Sequence, residues 1–297
     1  MPEWIANAGV QDAMGRGERR LSFPGLDRCL LWLSAHNLLV PSVAVCLGVG
    51  NMAMLGIGVR WPLLIVLFCA TYVIYMLDRD PSLVREPSCR PRTFVVFCVM
   101  LFVGLAAASG LRLMSLGMIG ILGVLGATYV YPLLPGGRRL KDVPFTKPFV
   151  VSLGWVAGGV LLPWLEAGRS CNGVILAFAL YRFVYLLPNL LLSDCPDRNS
   201  DAQLGIRTWA LHLSWSGMVR VCLGILFLTG LVAVSAVALD VLPMLLLLEG
   251  VGLLFLLPIL SSDRPGQKEP FQSRLDAVMG WPLVLWLLVV STPMLGP

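Results

Sequence analysis

Nine apolar runs, each close to the length that crosses a bilayer, divide this chain of 297 residues. They lie at about 29–49, 61–77, 93–108, 113–133, 149–165, 172–192, 219–238, 241–260 and 277–295. A helix of about 17–25 apolar residues spans a hydrocarbon core roughly 30 Å thick, and such runs have no place in a water-soluble domain. The composition agrees. Hydrophobic residues make up 57% of the chain and charged residues 13%, against about a quarter charged in soluble domains. The expected fold class is therefore all-α and integral to a membrane, with nine transmembrane helices.

The basic residues divide unevenly between the loops. Arg60, Arg112 and Arg169 fall on one side of the predicted bilayer, and Arg182 falls inside a span. The remaining 18 of the 22 lysines and arginines gather on the other side. The positive-inside rule makes that second side cytoplasmic. The expectation is a multi-pass protein of the cell (inner) membrane, with a cytoplasmic N-terminal segment, 1–28, and a transmembrane domain, 29–297. Nine spans put the N-terminus in the cytoplasm and the C-terminus outside. The net charge of +5 is read as topology, so no nucleic-acid partner is expected.

The eight cysteines form no C-x-x-C pair, and with two histidines they predict neither a zinc site nor a disulfide framework. The first 28 residues have no apolar core close behind their basic residues, so no cleavable signal peptide is expected.

Acids need a separate explanation, because they contribute little to orientation. The densest polar segment follows the sixth run and reads D-x-x-D-x-x-x-D-x-x-x-G-I-R-T, with Asp194, Asp197, Asp201, Gly205, Arg207 and Thr208. Spacings of three and four put the carboxylates on one face if the helix continues. Carboxylates so close repel unless a cation neutralises them. Hard oxygen ligands at that density suit Mg²⁺, which bridges carboxylates to phosphates. Arg207 would then hold a phosphate oxygen. A weaker echo follows the second run, where Asp78-Arg79 aligns with Asp197-Arg198; Tyr75 then stands opposite Asp194 and Ser82 opposite Asp201.

The segment from Asp194 to Thr208 resembles the second aspartate-rich motif of the UbiA superfamily of intramembrane prenyltransferases. Asp78-Arg79-Asp80, with Arg90-Pro91 downstream, resembles the first motif, N-D-x-x-D-R-x-x-D. Here Ile74, Tyr75 and Ser82 stand where that motif has Asn, Asp and Asp. The loop from Tyr131-Pro132 through Lys141 to Lys147 is similar to the family's lysine-containing loop. The resemblance implies nine helices around a central cavity, with two aspartate motifs facing across its cytoplasmic mouth. It implies a membrane-borne isoprenoid diphosphate as donor, Mg²⁺ as cofactor and an acceptor that the sequence does not identify. Asp78, Asp197 and Asp201 are the expected catalytic residues. Asp78, Asp194, Asp197 and Asp201 are the expected metal ligands. Arg79 and Lys141 are expected on the diphosphate, and Arg79 and Arg85 are basic enough to replace a metal at the reduced first motif.

Two polar residues lie inside the sixth run. An arginine in a span is costly unless it faces a cavity or a partner, so Arg182 is expected to reach the diphosphate or an acidic acceptor. Asn189, seven residues on and on the same face, is a second expected donor. His36 and Asn37 are placed within the first span, at a similar depth. Glu249, followed by Gly-Val-Gly, reads as a helix-packing position.

Three functions are compatible with these residues: a prenyltransferase, a UbiA-like terpene cyclase, and a non-catalytic protein that binds an isoprenoid or assists a membrane complex. A transporter fits less well, because the acids sit at helix ends rather than at the bilayer midplane.

Overall fold

A computed structural model describes residues 24–284 and Leu287, apart from 85, 87, 89, 204 and 262–267. Among the described residues the chain is helical throughout. The helices are α1 (Pro24–Ala35), α2 (Leu39–Met54), α3 (Trp61–Arg79), α4 (Pro91–Ala108), α5 (Leu113–Val130), α6 (Lys147–Val156), α7 (Leu162–Glu166) and α8 (Gly173–Ser193). They continue as α9 (Arg198–Gln203), α10 (Trp209–His212), α11 (Trp215–Ala238), α12 (Leu245–Leu253), α13 (Leu257–Leu260) and α14 (Lys268–Met279).

Local chemistry sets many of these ends. Pro62 and Pro91 open α3 and α4, where a missing N–H costs nothing. The Asn172 side chain caps α8 by accepting from Ile175 N at 3.1 Å, and Ser214 Oγ caps α11 by accepting from Gly217 N at 3.2 Å. A π turn, Ala157–Leu161, joins α6 to α7 without breaking the span. Its second glycine lets Asn51 Nδ2 donate to the Gly159 carbonyl at 2.8 Å in the bundle interior.

Six of the helices are long and apolar enough to cross a membrane, and a seventh span results if α1 and α2 are one bent unit. Large apolar side chains such as Phe102, Leu105, Leu113, Ile121 and Phe227 lie exposed on α4, α5 and α11. An apolar surface of that extent belongs in lipid, and the chain is a multi-pass membrane protein.

The count of nine spans does not carry over as expected. The first run breaks by 109° between Ala35 and Leu39, because Asn37 takes a left-handed φ of +58°, a conformation asparagine adopts more readily than most residues. His36 and Asn37 therefore sit at a corner, and His36 is exposed, with Nδ1 on the Trp32 carbonyl at 2.8 Å. The eighth run is helical only from Leu245, with a 3₁₀ turn at Leu254–Leu256. Most of the ninth, 277–295, lies outside the described residues, as do 1–23, Arg85, Cys89 and Arg264.

At the end opposite the acidic motifs, one carboxylate ties three segments together. Glu166 accepts from Arg60 Nη1, from Arg112 N at 2.9 Å and from Ser115 Oγ at 2.7 Å. Arg169 donates to the Leu55 and Gly56 carbonyls at 2.8 and 2.9 Å, just past α2, and lies over the Trp164 ring. A cation there opposes the negative end of the helix dipole.

Candidate functional site

An apolar cavity of about 430 Å³ opens among α2 to α7. Its walls include Val66 and Leu67 of α3, Gly104 of α4, Leu122 of α5 and Trp155 of α6, and its polar end carries Tyr75, Asp78 and Tyr129. This is the volume of a small-molecule pocket, with hydrocarbon walls and a charged mouth.

Two loops build that mouth. After Tyr131 the chain turns at Gly136 and Gly137, both with positive φ, and Arg139 then clamps Asp142 through its guanidinium and its backbone N–H. The tight turn between them carries Lys141 back over the Tyr129 ring, 5.6 Å from its centroid, and into an ion pair with Asp78. Six residues on, Lys147 Nζ meets Asp194 Oδ1 at 2.6 Å. Asp194 is 1% exposed. Burial pushes its carboxyl above the ordinary carboxylate range, and Lys147 pulls against that shift. Asp194 Oδ2 is buried with no hydrogen-bond partner.

The second motif does not continue the sixth span. α8 ends at Ser193, Pro196 blocks its extension, and Asp201 lies on α9, with its N–H on the Asp197 carbonyl at 2.8 Å. Gly205, at φ +70°, reverses the chain toward Ile206, whose N–H returns to the Asp201 carbonyl at 2.9 Å. The two loops are then stitched together. Phe145 N donates to the Arg207 carbonyl at 3.0 Å, and Trp209 Nε1 donates to the Phe145 carbonyl at 3.1 Å. Phe145 holds a positive φ of +63° to do this, a strained position for a bulky residue.

Both motifs converge on one mouth. The Tyr129 hydroxyl feels the charges of Asp78, Asp194 and Asp201 together. The Tyr75 side chain, on the cavity wall, has Arg79 over its ring at 5.2 Å and lies among the charges of Asp78, Asp197 and Asp276. Asp78 from the first motif and Asp197 from the second thus act on the same side chain.

Other expected site residues lie elsewhere. Arg79 is exposed, donates to Asn37 Oδ1 at 2.7 Å and lies 5.2 Å over Tyr75. Arg207 is exposed, and its contact with the neighbouring loop runs through its carbonyl. Asn189 is buried, and neither end of its amide has a hydrogen-bond partner. Arg182 does not line the cavity. It forms an ion pair with Glu249 of α12 in which both side chains are 0% exposed, and its guanidinium lies 4.8–5.6 Å from the rings of Phe178, Tyr181 and Tyr185. The correction has a plain cause: a guanidinium in hydrocarbon takes the nearest buried carboxylate.

The expected Mg²⁺ ligands do not form a cluster in this arrangement. Asp78 and Asp194 face lysines, and among the described residues no three His, Cys, Asp or Glu side chains gather closely enough to hold a metal. The donor set does not fit a metal as arranged. Lys147 and Tyr129 had no sequence signal beyond their place in the loop and span. Glu249 had one: it is the single acid inside any apolar run, and a buried arginine calls for a buried acid.

The helices and the two-loop mouth form a membrane bundle whose apolar cavity ends at acidic and basic side chains. No family model matches the sequence, and no curated protein matches it. Among solved structures, one from work on digeranylgeranylglyceryl phosphate synthase in membranes superposes with a TM-score of 0.53. The match covers 89% of this chain and 97% of that one, at 10% identity. At that identity the likeness concerns the fold.

Proposed function

We propose that this chain is a UbiA-like prenyltransferase, moving a prenyl group from an isoprenoid diphosphate to an acceptor at the cytoplasmic face of the membrane. The observation that carries the reading is the cavity: apolar walls ending at a mouth of carboxylates and lysines. A ligand that fits has a hydrocarbon tail and a strongly anionic head. Lys141 and Lys147 offer ammonium donors to diphosphate oxygens, which favour charge-assisted hydrogen bonds. Stabilising the leaving diphosphate lowers the barrier to breaking the C–O bond. The walls keep water from the prenyl cation, and the Tyr129 ring, already beneath a cation at Lys141, can face positive charge. In this reading the two lysines carry the neutralisation of the leaving diphosphate.

The test uses protein purified in lipid–detergent micelles with geranyl to geranylgeranyl diphosphate, with Mg²⁺ or with EDTA. Binding and diphosphate release are expected, and both fall in Lys141→Met and Lys147→Met. A protein that binds none of these donors, or variants equal to the parent, would sink the reading. A second reading, a non-catalytic isoprenoid-diphosphate binder, draws support from the pairing of Asp78 and Asp194 with lysines. Binding without diphosphate release supports it.

A further inference from the structure

Three connections meet at the end of the bundle opposite the acidic motifs, and each brings an arginine: Arg60 just before α3, Arg112 just before α5 and Arg169 just after α7. Glu166, the last residue of α7, is the acid among these segments. Asp240, in the connection from α11 to α12, is a second acid at this end and does not line the pocket there. That pocket has a volume of about 310 Å³, and its walls are Val59, Arg60, Pro62, Gly110, Leu111 and Glu166.

The carboxylate in the pocket is already engaged. Glu166 Oε1 accepts from Arg60 Nη1, and Oε2 accepts from Arg112 N at 2.9 Å and Ser115 Oγ at 2.7 Å. The Glu166 side chain is 2% exposed, whereas that of Arg60 is 49% exposed. Arg60 spends one nitrogen, Nη1, on the Glu166 carboxylate and carbonyl. A guanidinium carries five N–H donors in a fork, so the other nitrogens of Arg60 can serve a ligand in the pocket that it lines. The Arg112 guanidinium rests on Gly168, where a Cβ would stand 1.7 Å from Nη1. Three guanidiniums against one carboxylate leave an excess of positive charge. α3 and α5 also begin here without side-chain caps, and the start of a helix is the positive end of its dipole. The ligand that suits this end is therefore an anion. Its surroundings are apolar: Trp61 follows Arg60, Leu113 and Met114 follow Arg112, and all three are exposed. A tryptophan at the end of a span sits at headgroup level.

We propose that this pocket holds the phosphate of an anionic phospholipid, with Arg60 on its oxygens and its acyl chains along Trp61, Leu113 and Met114. The site lies at the opposite end from the isoprenoid mouth and does not depend on the transfer reading. A guanidinium fork matches two phosphate oxygens at once. The excess positive charge selects among headgroups. Phosphatidylglycerol presents a net negative charge, whereas the choline cation of phosphatidylcholine opposes its own phosphate. Inorganic phosphate has the charge but no chains to cover the apolar surface. A seated lipid touches the segments of α3, α5 and α7 that Glu166 already joins, so it adds to their stability.

The experiment uses the full chain, stripped of lipid in a neutral maltoside detergent and titrated with phosphatidylglycerol, phosphatidylcholine or inorganic phosphate. Phosphatidylglycerol at about 100 times its Kd should raise Tm by about 5 °C. Phosphatidylcholine and inorganic phosphate should each raise it by less than about 2 °C. Arg60→Gln keeps an N–H for Glu166 and removes the charge, and its Kd for phosphatidylglycerol should rise about 10- to 100-fold. Arg60→Lys restores the charge and should recover most of that loss. Equal shifts from the two lipids overturn the proposal, as does inorganic phosphate matching phosphatidylglycerol, which would make the pocket a site for free anions. Arg60→Gln with the parent's Kd also overturns it. The parent alone gives a second readout that needs no variant to fold. Phosphatidylglycerol with a diazirine beside its glycerol should crosslink around Trp61 and Leu113. Label spread evenly over the exposed faces of α4 and α11 would refute the assignment.

Discussion

Replacing Glu249 by alanine isolates what the buried ion pair does. Arg182 and Glu249 are both 0% exposed, and neither Arg182 Nε nor Glu249 Oε2 has a hydrogen-bond partner. The pair is thus short of the surrounding hydrogen bonds that offset desolvation. Removing the acid leaves a guanidinium uncompensated in the bundle, which costs about 3–5 kcal/mol. Three aromatic rings remain 4.8–5.6 Å away. Each is worth about 0.5–2 kcal/mol to a desolvated cation, which places the expected loss near the bottom of that range, at about 3 kcal/mol. For a chain of this size that lowers Tm by about 6–12 °C, read by tryptophan fluorescence during thermal unfolding in micelles. The double variant Arg182→Met with Glu249→Leu removes both charges. It should lie within about 1 kcal/mol of the parent or above it, a coupling larger than about 2 kcal/mol. A Tm shift under about 2 °C in Glu249→Ala, or a double variant equal to the sum of its singles, would refute the reasoning.

Other expectations follow from named contacts. A Cβ on Gly50 would lie 2.3 Å from Pro282 Cβ and 2.6 Å from its carbonyl carbon; that backbone cannot swing aside, so Gly50→Ala should cost about 1–3 kcal/mol in the same unfolding assay. Gly117 has open space around its missing side chain, and Gly117→Ala should be neutral or stabilising by up to about 1 kcal/mol. Lys141→Met removes a charged donor from the mouth, and the Kd for geranylgeranyl diphosphate should rise about 10- to 100-fold in a binding titration. The Asp276 carboxyl sits at about 7 in the folded chain against 3.8 ordinarily. Between those values the folded chain holds a proton that the unfolded chain releases, so stability falls as pH rises through that window. The Tm of Asp276→Asn relative to the parent should therefore increase from about pH 5 to pH 8.

Hydropathy makes most spans legible, because apolar length is a one-dimensional property. The corner at Asn37 is not, because it is a change of backbone direction inside a continuous apolar run; a side-chain amide engaged by Arg79, from 42 residues away, accompanies it. The second motif is legible as a cluster of acids, yet its shape depends on Pro196 ending the helix. Its charge partner, Lys147, lies 47 positions earlier in the chain, and only the folded loop brings Lys147 to Asp194. Arg182 shows the same limit from the other side. A charge inside a span announces a partner, and the choice between ligand and Glu249 is made by tertiary packing.

The pairs Lys141–Asp78 and Lys147–Asp194 have a consequence for turnover. A mouth made only of lysines would grip a diphosphate and keep it. Here each lysine has a resident anion that competes for it. In the proposed reaction, an arriving head group displaces one carboxylate per ammonium, and departing inorganic diphosphate is replaced by the same carboxylates. No charge is stranded at either stage, and the built-in competitor speeds product departure at the expense of resting affinity.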